Sequence, residues 1–517
     1  MVVGEDRHPC AEQRPQWSKF RKGDFICLTG THAVNQRHTP ARVITRFSTP
    51  VKVLHVESGL NWGGQEERTV SELRWLNRNG HVAWLACNPS SAIRRRTDGN
   101  AVLVKMSRCV DPRATAAIRG FCKKHGVDIV HAHSPKDAWL CVPLHAMGIP
   151  VVRSRQITNP VSPKWSRSIV YRAGCRHLIA TAECIRQDLI RRNQVEARRI
   201  TVVGEGVDLG RFQPRIGRSS FKREFGISEE TPLFGVLAMI RPEKGHRFFV
   251  EAARIVLQTQ PTAKFVIVGE GTGTRETELG IRRQIRSTFG SEHDGPLLMT
   301  GFREDVEQVI AGLDALVVPS TAEAQSLVIP QAFASGRPVI ATAVGGIPEL
   351  VRHEETGLLV PAGDSAALAA AILRLIQQPA LRNKLGNAGL EYARKYLNFE
   401  DRMAETLSVY RKAISGKPRR TRQRARSSAS KTHTRTAKRV GHFSRSAFGP
   451  LVLALMLTFT LWDQSEADAG WIAVAPSRPH AFQLSLPKFL SANPVADPAN
   501  FDFSEIPPSQ DDDDVLT

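Results

Sequence analysis

The 517-residue chain lacks the features that mark several protein classes. It has no C-x-x-C pair, and all eight cysteines lie within the first 184 residues, from Cys10 to Cys184. Cysteines scattered without metal-ligand spacing fit a reducing compartment, where a free thiol packs as a small hydrophobe, and no structural zinc site is expected. No apolar stretch follows a basic start at the N-terminus, so no secretory leader is read there. Acidic residues are in deficit, 50 Asp and Glu against 71 Lys and Arg, for a net charge of +21. That excess is largely local: residues 417–445 hold eleven Lys or Arg and no Asp or Glu. The basicity therefore belongs to a tail, and a nucleic-acid partner is not expected for the folded body. Apolar content of 41% and charged content of 23% are ordinary for a globular protein.

At this length, two domains with appendages are the first expectation. Residues 1–50 are polar and broken by Pro and basic residues, and they read as a disordered extension. From residue 51 short β-branched runs appear at 51–56, 82–86, 101–105, 128–132, 150–152, 178–180 and 200–203, with amphipathic stretches such as 64–76 between most of them. A second series follows at 233–239, 264–268, 297–299, 315–318, 338–341 and 358–361, with helices at 245–258, 306–311, 327–334, 366–377 and 381–396. Near-continuous apolar strands alternating with helices predict parallel sheets covered on both faces. The class is α/β, with two Rossmann-like doubly wound domains at 51–209 and 210–414 and a final helical stretch at 401–414. Residues 415–446 read as a basic disordered linker. The apolar run 447–462 follows, sixteen residues long, and then an acidic, Pro-rich tail at 463–517.

Two strand-ending corners in the second domain carry the chemistry. Val317-Val318-Pro319-Ser320-Thr321-Ala322-Glu323 reads as a buried strand running into a polar loop, followed by a helix capped by Ser326. In doubly wound sheets ligands lie at the carboxyl ends of strands, and helix N-termini favour anions such as phosphate. Met239-Ile240-Arg241-Pro242-Glu243-Lys244-Gly245-His246 places two cations at another strand end, suited to neutralising a departing diphosphate. Each corner alone reads more often as a solvated turn; a pair in one sheet, one acidic and one basic, points to a site. Gly269-Glu270-Gly271-Thr272-Gly273 follows a strand but is not G-x-G-x-x-G, so a loop near a nucleotide is favoured over a dinucleotide site.

These residues resemble glycosyltransferase family 4, whose members have the two-domain GT-B fold with lobes facing across a cleft. The matches are Arg241 with Lys244-Gly245, Glu323 as the first acid of E-x7-E, Gly336-Arg337-Pro338-Val339, Gly345-Gly346-Ile347-Pro348-Glu349 and Thr300-Gly301-Phe302-Arg303. In the first half Trp62-Gly63-Gly64 and His131-Ala132-His133-Ser134 match the family's glycine loop and H-x-H segment, so the likeness spans 51–414. It implies a retaining enzyme that moves a sugar from a nucleotide-diphosphate donor to a glycan or glycolipid acceptor, in lipopolysaccharide or exopolysaccharide synthesis. Catalysis would fall to Glu323, His133, Arg241 and Lys244; donor binding to Gly63, Gly64, Arg241, Lys244, Phe302, Arg303, Glu323, Ser326, Leu327 and Gln331. Gln331 replaces the second acid, and 324–326 replace the common G-F-G. The amide of Gln331 can still serve ribose hydroxyls. With no D-x-D in the folded body, no metal and no cofactor beyond the sugar nucleotide are expected.

Two other readings stay open: a sugar phosphorylase or epimerase on the same fold, or a nucleotide-sugar-binding protein that has lost catalysis. The tail also has three. Residues 438–470 run basic, apolar, then small, as a short membrane anchor, an in-frame secretory fusion or an interfacial segment. The basic stretch suits an anionic membrane surface, which would put the protein in the cytoplasm at the inner face of the membrane.

Overall fold

A computed structural model describes residues 49–416, apart from 160, 162–169, 215–219 and 272–274. Residues 1–48 of the expected extension, 417–446 of the basic linker, the apolar run and the acidic tail lie outside the described residues, as does Gly273; Ser415, assigned by sequence to the linker, is helical.

The first lobe is built on a parallel sheet of β1 (Lys52–Glu57), β2 (Val82–Cys87), β3 (Ala101–Leu103), β4 (Ile129–Ala132), β5 (Val151–Arg155), β6 (His177–Ala180) and β7 (Ile200–Val202), in the order β3-β2-β1-β4-β5-β6-β7. Between its strands run α1 (Gly64–Arg78), α2 (Pro112–His125), α3 (Pro135–Ala146) and α4 (Glu183–Arg191). The short α5 (Ser220–Glu224) opens the second lobe. Its parallel sheet comprises β8 (Leu233–Leu237), β9 (Lys264–Val268), β10 (Leu297–Gly301), β11 (Ala315–Val318), β12 (Val339–Thr342) and β13 (Gly357–Val360), ordered β10-β9-β8-β11-β12-β13. Its helices are α6 (His246–Leu257), α7 (Arg275–Phe289), α8 (Val306–Gly312), α9 (Val328–Ala334), α10 (Ile347–Leu350), α11 (Ser365–Gln377) and α12 (Pro379–Tyr396).

Central strands are buried along their whole length, as the apolar runs require. In each sheet the order reverses once, between β1 and β4 and between β8 and β11. Those reversals are where doubly wound sheets open a crevice at their carboxyl ends. The glycine loop and the histidine segment follow β1 and β4; the basic and acidic corners follow β8 and β11. The fold thus gathers the four motifs at the two switch points.

The lobes are joined twice. The linker strand at Val207 pairs with Asn398, with Val207 N donating to Leu397 O and Phe399 N to Val207 O. Beyond that pairing α13 (Phe399–Ser415) returns to the first lobe: Met403, Leu407, Val409, Tyr410 and Ala413 share a core with Val53, Leu73, Leu85 and Ile129. The segment drawn by sequence within 210–414 therefore ends on the first sheet. Among the described residues no helix is long and apolar enough to cross a membrane.

Candidate functional site

The basic corner begins where β8 ends. After Ile240 a single 3₁₀ turn, Pro242–Lys244, is closed by Gly245 at φ +69. A Cβ on Gly245 would stand 1.9 Å from the carbonyl oxygen of Pro319, so only glycine lets this turn lie against the loop after β11. Thr321 N donates to Glu243 O at 2.8 Å and fixes the two loops together. The result is one contact of opposite charge: Lys244 Nζ stands 2.5 Å from Glu323 Oε2, both mostly buried, with Ser320 Oγ at 3.4 Å from the same oxygen.

Arg241 has its Nη1 3.9 Å from Glu243 Oε1, and its charge also reaches Glu66 of α1 in the first lobe. That places the guanidinium at the interlobe cleft. Gly63 faces the same gap: a Cβ there would meet Met239 Cε at 2.7 Å, whereas Gly64, the first residue of α1, has open space beside it. Gln331, on α9, is 7% exposed, and its Oε1 has no hydrogen-bond partner.

The structure differs from the sequence expectation at Ser326. The helix begins at Val328, Leu327 occupies the cap position, and the Ser326 side chain makes no cap bond. The cause lies across the cleft. Ala324 packs in the first-lobe core, and Gln325 Oε1 accepts the amide of Glu205 at 2.8 Å, so residues 324–326 are drawn out as a strap before the helix starts.

Arg303 and His133 are not brought to the Lys244–Glu323 pair by any contact. Four of the Arg303 N–H donations go to Glu224 and Asp305, which leaves little of the guanidinium for a ligand. Phe302 is 44% exposed, and its amide donates to Glu270. His133 is enclosed in the first lobe with His55, Nε2 to Nδ1 at 3.0 Å.

Sequence reading missed most of what surrounds His133. His55, Glu72, His131 and His133 are all buried, with one ligand-type atom of each within 4.8 Å of the others. Burial holds the imidazoles neutral, with the His55 pKa pushed down to about 3 and those of His131 and His133 well below the ordinary range. Such a set could hold a metal ion. Yet His131 already shares hydrogen bonds with Tyr410 OH at 2.7 Å and Ser154 Oγ at 2.8 Å, and Glu72 accepts from Arg68. Those partners make it a polar network of the core. Also unread were the carboxylates at the carboxyl end of β1. Desolvation, then the charges of Asp137 and Glu66, raises the Glu57 pKa well above the carboxylate range. Glutamates on both sides of the Gly-Gly loop, Glu57 before it and Glu66 after Gln65, were the available signal.

Comparison with known proteins agrees with this geometry. A family model described as "Glycosyltransferase Family 4" matches residues 62–211, and one described as "Glycosyl transferases group 1" matches 231–378. A UDP-Gal:alpha-D-GlcNAc-diphosphoundecaprenol alpha-1,3-galactosyltransferase of Escherichia coli is 24% identical over 366 residues, 65% of this chain and 92% of that protein. A D-inositol 3-phosphate glycosyltransferase of Thermomonospora curvata is 32% identical over 258 residues, 46% of this chain and 57% of that one. Among solved structures, HepE of Anabaena in complex with UDP and glucose aligns with a TM-score of 0.61 at 20% identity, covering 69% of this chain and 99% of its own. That last likeness is one of fold.

Proposed function

The chain belongs to glycosyltransferase family 4, the group 1 glycosyl transferases, and from that premise we propose that it moves a sugar, with retention, from a nucleotide-diphosphate donor to a glycan or glycolipid acceptor. The observation that carries the reading is the Lys244–Glu323 contact at the second switch point, with Arg241 three residues before Lys244 on the same loop. In the resting protein ammonium and carboxylate neutralise each other. An arriving diphosphate competes for Lys244 and Arg241 and frees Glu323 to hold the sugar's hydroxyls. The bond from the anomeric carbon to the β-phosphate oxygen breaks while the bond to the acceptor oxygen forms on the same face. The departing phosphate takes the acceptor's proton. Two side-chain cations then do the charge stabilisation for which other transferases use a metal ion.

Gln331 supports the donor end of this reading. Its buried, unpartnered Oε1 is an acceptor suited to a ribose hydroxyl. The same residue favours a second reading, a nucleotide-sugar-binding protein without turnover, because the family's acid is missing there. The acceptors named for the two relatives both carry phosphate, as a diphospholipid and as a phosphoinositol. A lipid-borne acceptor would place the protein at the cytoplasmic face of a membrane, with the basic residues of 417–462 on anionic lipid, in polysaccharide or lipopolysaccharide synthesis.

Glu323→Ala tests the assignment. Sugar transfer should be abolished while binding of the nucleotide diphosphate stays measurable; unchanged turnover defeats it. Proton NMR of the product's anomeric linkage decides retention, and activity surviving exhaustive EDTA decides metal independence. A thermal-shift panel of UDP-, GDP- and ADP-sugars identifies the base, since a ligand bound to the folded state alone raises the melting point.

A further inference from the structure

The residues that follow Glu323 are held by the first lobe rather than by their own. Ala324 is 3% exposed and packs with Ala180, Ala182 and Ile185 of the first lobe. Gln325 Oε1 accepts the amide of Glu205, just past β7, at 2.8 Å. Gly204 makes the room: a Cβ there would stand 2.8 Å from Gln325 Oε1 and 3.4 Å from its Nε2. A larger residue at 204 would push the Gln325 side chain off the amide that it holds.

The anchor is buried and fully engaged. Glu205 is enclosed, with its Oε1 3.1 Å from Arg68 Nη1, and Arg68 also donates to Glu72 Oε1 at 2.9 Å and to Val203 O at 3.2 Å. A second hold lies on the other side of the acidic loop. Gly346 N donates to Glu323 O at 3.3 Å, and a Cβ on Gly346 would stand 2.7 Å from Ala182 Cβ. Glu349 accepts the amides of Glu183 and Cys184 at 2.8 and 3.0 Å, a cap that Ala182 cannot give to α4. Glu323 is thus flanked by first-lobe anchors while its carboxylate pairs with Lys244 of the second lobe. Neither hold is needed to join the lobes, which the crossover at Val207 and the packing of α13 already do. Gln325 stands where the resembling family commonly has Phe, a side chain with no acceptor, so its bond belongs to this chain.

We propose that Gln325 is a positioning residue for sugar transfer, whose bond to the Glu205 amide sets the distance of the Glu323 loop from the first lobe. A sugar held by Glu323 then meets an acceptor oxygen presented across the cleft. This rests on the glycosyl-transfer reading above. The bond adds nothing to donor affinity, because Arg241 and Lys244, which take the diphosphate, stay in place without it. It acts on the alignment of the reacting atoms, where a misplacement of about 1 Å costs on the order of 10²-fold in rate.

The test uses the full chain and whichever of UDP-, GDP- and ADP-glucose it binds most tightly, with a protein-free cell extract supplying acceptors. Gln325→Leu keeps the size and removes the acceptor atom; Gln325→Glu keeps an oxygen in its place. Gly204→Ala crowds Gln325 from the first lobe alone. Hydrogen exchange at the Glu205 amide should be about tenfold faster in Gln325→Leu and Gly204→Ala than in wild type and Gln325→Glu. The same two variants should lose about tenfold or more in kcat for nucleoside diphosphate release, with the dissociation constant of that diphosphate unchanged, while Gln325→Glu keeps most of the rate. Equal exchange in all four proteins overturns the proposal. So does a kcat of Gln325→Leu within about twofold of wild type, or an equal loss in Gln325→Leu and Gln325→Glu, which would leave the side chain as packing alone. Should wild type neither bind nor consume any donor, the transfer reading fails instead, and the exchange rates still decide whether Gln325 holds the loop.

Discussion

Lys244 and Glu323 neutralise each other at 2.5 Å while largely shielded from water, so each holds the other's charge in place until a ligand arrives. Lys244→Ala removes the ammonium from the diphosphate and leaves Glu323 without its counter-charge. The expected loss in kcat is about 10²–10³-fold, as for one donor of an oxyanion-type site. Nucleotide diphosphate affinity should fall far less, because Arg241 remains; steady-state kinetics beside calorimetry separates the two. Gln331→Leu deletes the buried Oε1 that has no partner in the resting protein. If a ribose hydroxyl fills that role, donor KM rises about tenfold with kcat little changed; an unaltered KM removes Gln331 from the site. These residues were legible because each sits in a short motif at a strand end. The pairing of His133 with His55 was not: the two lie 78 residues apart in sequence, and only the folded sheet brings them together.

At the scale of elements, the strands were readable wherever apolar residues run without a break: 264–268 and 315–318 match β9 and β11 residue for residue. Helix α7 escaped because its buried stripe is thin, Ile281 and Ile285 amid charged residues. The start of α9 was read to within one residue, 327 against Val328, whereas the bond of Gln325 across the cleft just before it carries no local signal. Two predictions belong here. Gly245→Ala puts a Cβ against Pro319 O in a left-handed turn, so the loops bearing Lys244 and Glu323 must part. It should cost more than about 1 kcal/mol of stability and lower kcat together, whereas Gly64→Ala, with open space around it, should leave the melting point in place. The second concerns the strand-end histidines. His55 stays neutral in the fold down to about pH 3, against an ordinary 6.5. A depressed imidazole pKa stabilises the fold above the unfolded value, and that stability is lost as pH falls from 6.5 towards 3. The melting point should therefore drop on acidification through pH 6 to 5, and His55→Gln should flatten that slope by up to one proton; an identical slope refutes the assignment.

Across the whole molecule, the two lobes are bound by a helix that starts in one and is buried in the other. Trp75 Nε1 donates to Glu400 Oε2 at 2.7 Å at the head of α13, and Tyr410 OH meets His131 Nδ1 at 2.7 Å in its body. Tyr410 is wholly buried against the first sheet, and its hydroxyl is the hydrogen-bond partner of this nitrogen, with Glu72 Oε2 farther off at 3.7 Å. Tyr410→Phe keeps the ring and strands the nitrogen. The expected cost is about 1–3 kcal/mol, read as a lower urea midpoint with the m-value unchanged. The location of the loss matters more than its size. Because α13 carries the second lobe's chain onto the first lobe's core, weakening it should loosen the first lobe before the second. A bound nucleotide, held by second-lobe residues, should then protect only the later transition. Wild type should unfold in one step by both tryptophan fluorescence, which samples Trp75 and Trp84, and nucleotide release; the variant should unfold in two. A single coincident transition in both proteins would mean that α13 is packed on the first lobe without governing its stability, and that the paired crossover at Val207 and Asn398 joins the lobes by itself.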